Sequence, residues 1–358
     1  MTPPHFKYDM ASDVAQSIER SGVALEGFRG KTVLLTGGTG FFGIWILSAL
    51  IQMKQFLDGD LRIVVVSRDP ERFLQKHPLH HFDQYAEFIR SDVKSLTLKD
   101  LQVTHLVHMA TTNANETFAG EDQLQKIDLL YLGTRNVIEQ CGPSLEKVLF
   151  TSSGVAYGRT SNGLITEETP SALDTTSTGS ALGLGKLNAE YVVAYYAEKW
   201  GYAYSMARCF SFAGPYLPLD LHYAIGNFIG NAIAKQAIVI KGDGEALRSY
   251  LYIGDALAWL LRLLAEPRNQ IFNVGSEKAL TMLELAEKVA LVSENAPSIK
   301  VMGNLQEIGN FRRDMYVPNI SKITTSYSGL KEWTTVEESI QKTIDFYKIH
   351  FNMGNQEL

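Results

Sequence analysis

Cysteine is nearly absent from this chain of 358 residues: Cys141 and Cys209 are the two thiols, far apart and with no Cys or His neighbour at metal-ligand spacing. A disulfide framework and a zinc site are thereby excluded, and a reducing compartment, the cytoplasm, is the expected location. Long hydrophobic runs are missing too. No stretch approaches the roughly 18 to 20 uncharged apolar residues that span a bilayer, and the opening MTPPHFKYDMASDVAQSIERSG has no continuous apolar segment of the kind that directs export. The third absence is a dense Lys/Arg block. With 33 basic residues against 39 acidic ones and a net charge of −6, neither nucleic acid nor an anionic membrane surface is the expected partner. A small molecule is.

What is present is ordinary globular composition, 45% hydrophobic and 20% charged, enough for one large domain or two closely joined ones. Residues 1–30 read as an appended segment in which DMASDVAQSIERSG forms one amphipathic helix, with an Asp cap, apolar Val14 and Ile18, and Gly22 as the stop. From Lys31 a rhythm sets in. The apolar, β-branched run KTVLLT closes on glycines and is followed by FFGIWILSALIQMKQFL, long and apolar enough for a buried helix. LRIVVVS, AEFIR, THLVH and KVLFTSS then supply further strands, with LLYLGTRNVIEQC as a helix between the last two. Strands without polar alternation, interleaved with helices, predict an α/β fold: a doubly wound parallel sheet over about 31–212. After YSMARCFSFAGP the pattern breaks into smaller pieces. Residues 213–358 are therefore expected to form mainly a smaller α+β substrate-binding domain, with an interleaved boundary.

The first strand runs into TGGTGFFG, in which Gly38, Gly40 and Gly43 fit Gly-x-Gly-x-x-Gly and Gly37, Gly40 and Gly43 fit Gly-x-x-Gly-x-x-Gly. Glycines there permit a tight turn and close backbone approach, so that a pyrophosphate can rest on the free N–H groups of the helix that starts at Phe41 and Phe42. The position of the motif, between a predicted strand and a predicted helix, is what makes it a dinucleotide site of Rossmann type. At the end of the second strand, an acidic residue would bond a ribose 2′-hydroxyl and repel a 2′-phosphate. This chain has Ser67 and Arg68, with Asp69 one step on, placed to cap the next helix. A hydroxyl and a guanidinium suit a 2′-phosphate, so NADP is expected over NAD.

These stretches, and several more, resemble the extended short-chain dehydrogenase/reductase family of nucleotide-sugar epimerases and dehydratases, from Lys31 to about Tyr347. Ser91-Asp92-Val93 is similar to the family's contact with adenine, and His108 to Thr112, including Ala110 and Thr111, to the loop over the cofactor. SSGVAYG (152–158), GKLNAE (185–190), ARCFSFAGP (207–215) and GDGEALRSYLYIGD (242–255) carry it further. The resemblance implies a nicotinamide cofactor, a nucleoside-diphosphate sugar as substrate and, by analogy, a homodimer. It places Arg248 on the diphosphate, with Tyr252 and Asp255 bracing its loop. Arg313 (or Arg312) becomes a second diphosphate contact, and Asn227 an amide that meets substrate. A fork-shaped guanidinium is suited to bidentate phosphate recognition.

The implied reaction is transient oxidation of a sugar hydroxyl. In the family a serine orients that hydroxyl, a tyrosine takes its proton, and a lysine four residues later lowers the tyrosine's pKa while bonding the nicotinamide ribose; i and i+4 share a helix face. Ser153 and Lys186 fall on two of these positions, and position 182, where the tyrosine is expected, is Leu. Removing a general base costs about 10²- to 10⁴-fold in rate. Either another group or water serves, with Tyr157, Tyr191, Tyr195 and Tyr196 as candidate phenols, or the chain binds without turnover, or the leucine is a substitution. Family dehydratases carry an acidic pair after the orienting residue and decarboxylases a Glu two residues on. Gly154-Val155 therefore favours an epimerase or ketoreductase over a 4,6-dehydratase. The histidines of KHPLHHF (76–82) are read as a surface loop rather than a metal site. Glu167, Glu168 and Asp174 are read as a solvated loop bordering the sugar, and His222 as a lid residue.

Overall fold

A computed structural model describes residues 8–111, 122–159, 163–220, 223–303 and 314–354. Five strands arrive where the apolar runs predict them: β1 (Lys31–Thr36), β2 (Leu61–Ser67), β3 (Glu87–Arg90), β4 (His105–His108) and β5 (Lys147–Ser153), with β6 (Ala203–Cys209) after them. They hydrogen-bond in the order β3-β2-β1-β4-β5-β6, every pair parallel. A late strand, β11 (Gln270–Val274), joins the same sheet beside β6 and makes it seven-stranded among the described residues. Residues β7 to β10 and β12 to β14 are short pieces of two or three residues: Phe212–Ala213, Ile238–Ile240, Leu247–Arg248, Leu251–Tyr252, Leu280–Thr281, Ile299–Val301 and Met315–Tyr316. The chain steps outward from β1 to β3, then returns to β4 on the other side of β1. That reversal opens a crevice at the carboxyl ends of β1 and β4, where this class of fold binds its ligand.

The helices cover both faces. α1 (Met10–Ser21), α2 (Phe41–Phe56), α3 (Pro70–Lys76), α4 (Gln123–Cys141) and α5 (Ala181–Trp200) precede β6. They are followed by α6 (Ala224–Ile233), α7 (Ile253–Ala265), α8 (Met282–Val292), α9 (Ser321–Ser326) and α10 (Val336–Gly354). α2 is apolar on almost every side because it lies between the sheet and the pair α1 and α7: Trp45, Leu47, Ala49 and Leu50 are wholly buried in one core with Val33, Leu35, Trp259 and Phe272. α4 and α5 build the second core on the opposite face, around Val137, Ile138, Phe150 and Val193. A third core, Ile225, Ile229, Leu285, Val289 and Ile340, holds together the pieces that follow residue 213. No helix among the described residues is long and apolar enough to cross a membrane.

α1 has the caps its sequence predicts. The Asp9 side chain accepts from the Ala11 N–H, and Gly22 takes the left-handed conformation at φ 62° that ends the helix. Ser12, Gln16 and Glu19 face solvent, while Asp13 and Arg20 turn inward. Buried Asp13 accepts from the Tyr252 hydroxyl and from Lys342 Nζ at 2.8 Å, and Arg20 donates to Asp255 at 3.2 Å. Asp255, wholly buried, also accepts from the N–H groups of Trp333 and Thr334 at 2.9 and 2.8 Å. The helix is therefore fastened to the junction of β10 and α7 by polar groups that would be costly to leave unpaired.

Asp13→Ala strips the partner from the buried Tyr252 hydroxyl, and is expected to lower the unfolding free energy by about 1 to 3 kcal/mol. Urea denaturation checks this. In the Tyr252→Phe background the further loss should be smaller, because the orphaned hydroxyl is gone.

Candidate functional site

The turn from β1 to α2 is shaped by what lies against it. Gly37 has φ 69°, and a Cβ there would meet the Met109 carbonyl carbon and oxygen at 2.7 Å and the Ala110 nitrogen at 2.9 Å, so the turn and the β4 exit loop touch backbone to backbone. A Cβ on Gly43 would lie 2.3 Å from Gly37 O, which lets α2 start directly behind the turn. Gly40 differs. It is the N-cap of α2, no side chain caps the helix, and a Cβ there would meet nothing closer than 3.5 Å. The backbone N–H groups of Phe41, Phe42 and Gly43 thus begin a 16-residue helix without a side-chain acceptor, an arrangement suited to an anion. The two phenylalanine side chains turn away to pack, Phe42 edge-on to Phe212 at 4.8 Å.

Around this turn stand the other predicted cofactor residues. Ser67 ends β2, buried, and its hydroxyl accepts from the Asp69 N–H at 3.3 Å. Arg68 is exposed beside it. Asp69 caps α3 by accepting from Arg72 N–H at 3.2 Å, so its carboxylate has a local task. Asp92 Oδ1 accepts from Lys94 N–H at 2.8 Å, and Val93 packs on Gly133 of α4. Ala110 N–H donates to Thr36 Oγ1, and the same oxygen meets Nδ1 of His108 at 2.5 Å, while Nε2 of that ring meets Thr134 Oγ1 at 2.9 Å. Burial pushes His108 down to about 3, so the ring is neutral and ties β1, β4 and α4 together under the exit loop. Thr111 is exposed at the end of that loop. Thr112, His222, Arg312 and Arg313 lie outside the described residues.

On the other side of the crevice, α5 delivers Lys186 to β5. Its Nζ donates to Thr151 O at 2.7 Å and lies 5.1 Å from the Phe150 ring; the residue is 4% exposed. Burial draws its pKa down to about 8, against the pull of Cys209 and Glu190. Ser153 ends β5 two residues after Thr151, its hydroxyl accepting from the Val155 N–H at 3.3 Å. Leu182, half-buried, sits in the first turn of α5, one turn before Lys186.

Behind Ser153 runs a polar network that sequence reasoning did not find. Glu190 and Arg208, 7% and 9% exposed at the side chain, form a bidentate pair at 2.9 and 2.7 Å. Ser152 donates to Glu190 at 2.5 Å, and the Arg208 guanidinium lies 4.4 Å from the centre of the Tyr157 ring. Tyr157, with no exposure, donates to Asn273 Oδ1 at 2.7 Å, and Asn273 N–H donates to Glu167 at 2.8 Å. Glu167, read as a solvated loop residue, is instead half-buried, with its pKa raised by that burial. The remaining candidate phenols point elsewhere: Tyr196 bonds Glu139, and Tyr191 and Tyr195 are exposed on α5.

The sugar side is less concentrated. Arg248, on β9, donates to Asp314 Oδ2 at 2.6 Å and to Asp314 O at 3.1 Å, and Asn227 is half-buried on α6. Tyr252 and Asp255 face α1 in the contacts described above. His77 and His80 pack on Tyr216, with His80 Nε2 at 2.5 Å from its hydroxyl, and His81 is exposed. Among the described residues no group of three His, Cys, Asp or Glu side chains could hold a metal.

Fold and crevice define a class, and the comparisons with known proteins agree: residues 33–275 match the NAD dependent epimerase/dehydratase family, and the chain belongs to it. UDP-glucuronic acid decarboxylase 2 of Arabidopsis thaliana is 27% identical over 295 residues; the match covers 82% of this chain and 63% of that protein, so this chain spans less than two thirds of that relative. A UDP-N-acetylglucosamine 4-epimerase from Methanobrevibacter ruminantium M1, solved with UDP-N-acetylmuramic acid, shares the fold. It is 22% identical at a TM-score of 0.74, covering 90% of this chain and 99% of that one. UDP-glucuronic acid 4-epimerase from Bacillus cereus, solved with UDP-glucuronic acid and NAD, has a TM-score of 0.73 at 19% identity, covering 89% and 99%.

For Lys186 the folded pKa lies below its ordinary value of 10.5, so its contribution to stability is present above that value and lost as pH falls through about 8. Lys186→Met removes the buried charge. On cofactor-free protein its melting temperature relative to the unsubstituted chain should be highest near neutral pH and decline steadily toward pH 10.5. The charge term is about 3 kcal/mol, less the lost hydrogen bond to Thr151.

Proposed function

We propose that this chain modifies a nucleoside-diphosphate sugar by NAD(P)-dependent hydride transfer, as an epimerase or ketoreductase. The observation that carries the reading is the pairing, across one crevice, of an uncapped α2 N-terminus with Ser153 and Lys186 at the carboxyl end of β5. The helix end suits a pyrophosphate, with Gly40 leaving the approach open, Gly37 and Gly43 letting the turn close against the β4 exit loop and α2, and Asp92, Val93, Ala110 and Thr111 assigned to the adenine and ribose side. A bound nicotinamide supplies hydride exchange with a sugar carbon. Lys186 holds its ribose, and Ser153 orients the sugar oxygen.

NADP is favoured over NAD because the end of β2 offers Ser67 and Arg68, while Asp69 is engaged as the cap of α3. Arg248, Asn227 and Arg313 are assigned to the substrate's diphosphate side, Arg248 exchanging its bond to the exposed Asp314 for phosphate oxygens. A 4,6-dehydratase is disfavoured by Gly154-Val155, which puts no carboxylate after Ser153. The same feature disfavours decarboxylation, despite the decarboxylases among the relatives. A silent binding protein is the reading that Leu182 suggests, and the buried Lys186 ammonium argues against it: a chain with no use for that charge gains stability by losing it. A homodimer is assigned to the α4–α5 face, where Leu124 and Tyr191 are 69% and 70% exposed.

Titration with NADPH and NADH should show tighter NADPH binding, with Arg68→Ala narrowing the difference. In a panel of nucleoside-diphosphate sugars, Arg248→Ala should weaken binding of the preferred compound about 10- to 100-fold, the loss of a charge-assisted hydrogen-bond pair. Unchanged affinity would sink the assignment of Arg248.

A further inference from the structure

On the functional reading above, a proton must be exchanged at the sugar oxygen that Ser153 orients, and Leu182 has none to give or take. A phenol reaches that spot from another part of the chain. Tyr316 ends β14, which pairs with β9 so that Tyr316 stands in register with Arg248. Its ring packs on Phe210, centroids 4.7 Å apart, and its hydroxyl extends over Gly154: a Cβ at position 154 would lie 2.5 Å from that oxygen. Gly154 directly follows Ser153, and the Ser153 hydroxyl interacts with the phenol. Cys209 is the register partner of Ser153 on β6. Tyr316 and Ser153 therefore meet at Gly154, and Lys186 reaches the same end of β5 through its bond to Thr151 O.

We propose that the Tyr316 hydroxyl is the proton-exchanging group of this site, delivered by the C-terminal half of the chain instead of by position 182 of the helix. Gly154 then has a specific purpose: any side chain there would occupy the volume that the phenol oxygen needs. Burial pushes the Tyr316 pKa far above neutrality, against the opposing influence of Ser153 and Arg248, so the resting phenol is a proton donor. In a reduction, the sugar carbonyl carbon gains the hydride supplied by a reduced nicotinamide, and the C=O π pair moves onto oxygen. That oxygen takes the phenolic proton as the Tyr316 O–H bond breaks. The phenolate is stabilised by Ser153 and Arg248 and recovers a proton from solvent. The reverse oxidation runs through the same group, with the phenolate taking the proton of the sugar hydroxyl.

The test uses the full chain. Tyr316→Phe should reduce turnover of the nucleoside-diphosphate keto-sugar about 10²- to 10⁴-fold while NADPH affinity stays unchanged, and Gly154→Ala should reproduce the loss. Leu182→Tyr should restore turnover to both variants. A second readout needs no cofactor. The tyrosinate absorbance difference between the unsubstituted chain and Tyr316→Phe should show one phenol ionising only at alkaline pH, and Ser153→Ala should move that ionisation higher. Full turnover in Tyr316→Phe, or a difference spectrum indifferent to Ser153→Ala, overturns the proposal and leaves the functional reading intact. So does an inactive unsubstituted chain that Leu182→Tyr activates. Inactivity of the unsubstituted chain and of Leu182→Tyr alike would overturn both.

Discussion

Burying Glu190 and Arg208 between α5 and β6 takes two charges out of water, and only their bidentate geometry, with Ser152 and the Tyr157 ring filling the remaining sides, offsets that desolvation. The pair fixes the helix on the sheet in one register. Lys186 lies one helical turn from Glu190 and Ser153 one residue from Ser152, so the positions of both site residues follow from the same lock. It extends farther through Tyr157 and Asn273 to Glu167, which couples the sheet to the loop bordering the crevice. A site of this kind is held by charge behind it rather than by contacts within it.

Much of this architecture is legible in the sequence because it is local. Five parallel strands announce themselves as apolar runs, and Gly37, Gly40 and Gly43 sit where a strand gives way to a helix. Even the capping of α1 by Asp9 and Gly22 follows from residue type. What the sequence does not display is pairing over distance. Nothing around Tyr316 marks it as a neighbour of Gly154, since its strand is two residues long and too short for a periodic signal. Arg248 reads as a phosphate ligand, and the structure adds its bond to Asp314. Glu167 reads as solvated because a run of polar residues surrounds it, while its actual partner, the Asn273 backbone, lies 106 residues away. Glu190 carries a signal that could have been used: an acid set in the largely apolar helical run AEYVVAYYA needs a cation if it is buried, and Arg208 is the next basic residue on a strand.

Gly154 and Leu182 acquire meaning as a pair on the proposed reading. One removes a side chain beside the orienting serine, the other removes a polar group from the helix, and both changes leave room or need for a hydroxyl from elsewhere. The short strand β14 fills the space, so the reacting surface is shared between the sheet and the pieces that follow it. The Rossmann scaffold supplies the cofactor's place, and the rest of the chain supplies what distinguishes one chemistry from another.

The contact of Asp13 with Lys342 spans 329 residues of chain and meets Tyr252 between them. During synthesis, the helix at 10–21 emerges early and can close on its final partner only after the helix at 336–354 has left the ribosome. The strands β1 to β6 precede that helix in the chain, but Asp13 lacks Lys342 and Asp255 lacks the Trp333 and Thr334 N–H groups until the C-terminal segment is made. The seam is among the most non-local in the chain, with the Tyr8 and Phe346 rings also meeting across it, so its closure waits on the last helix.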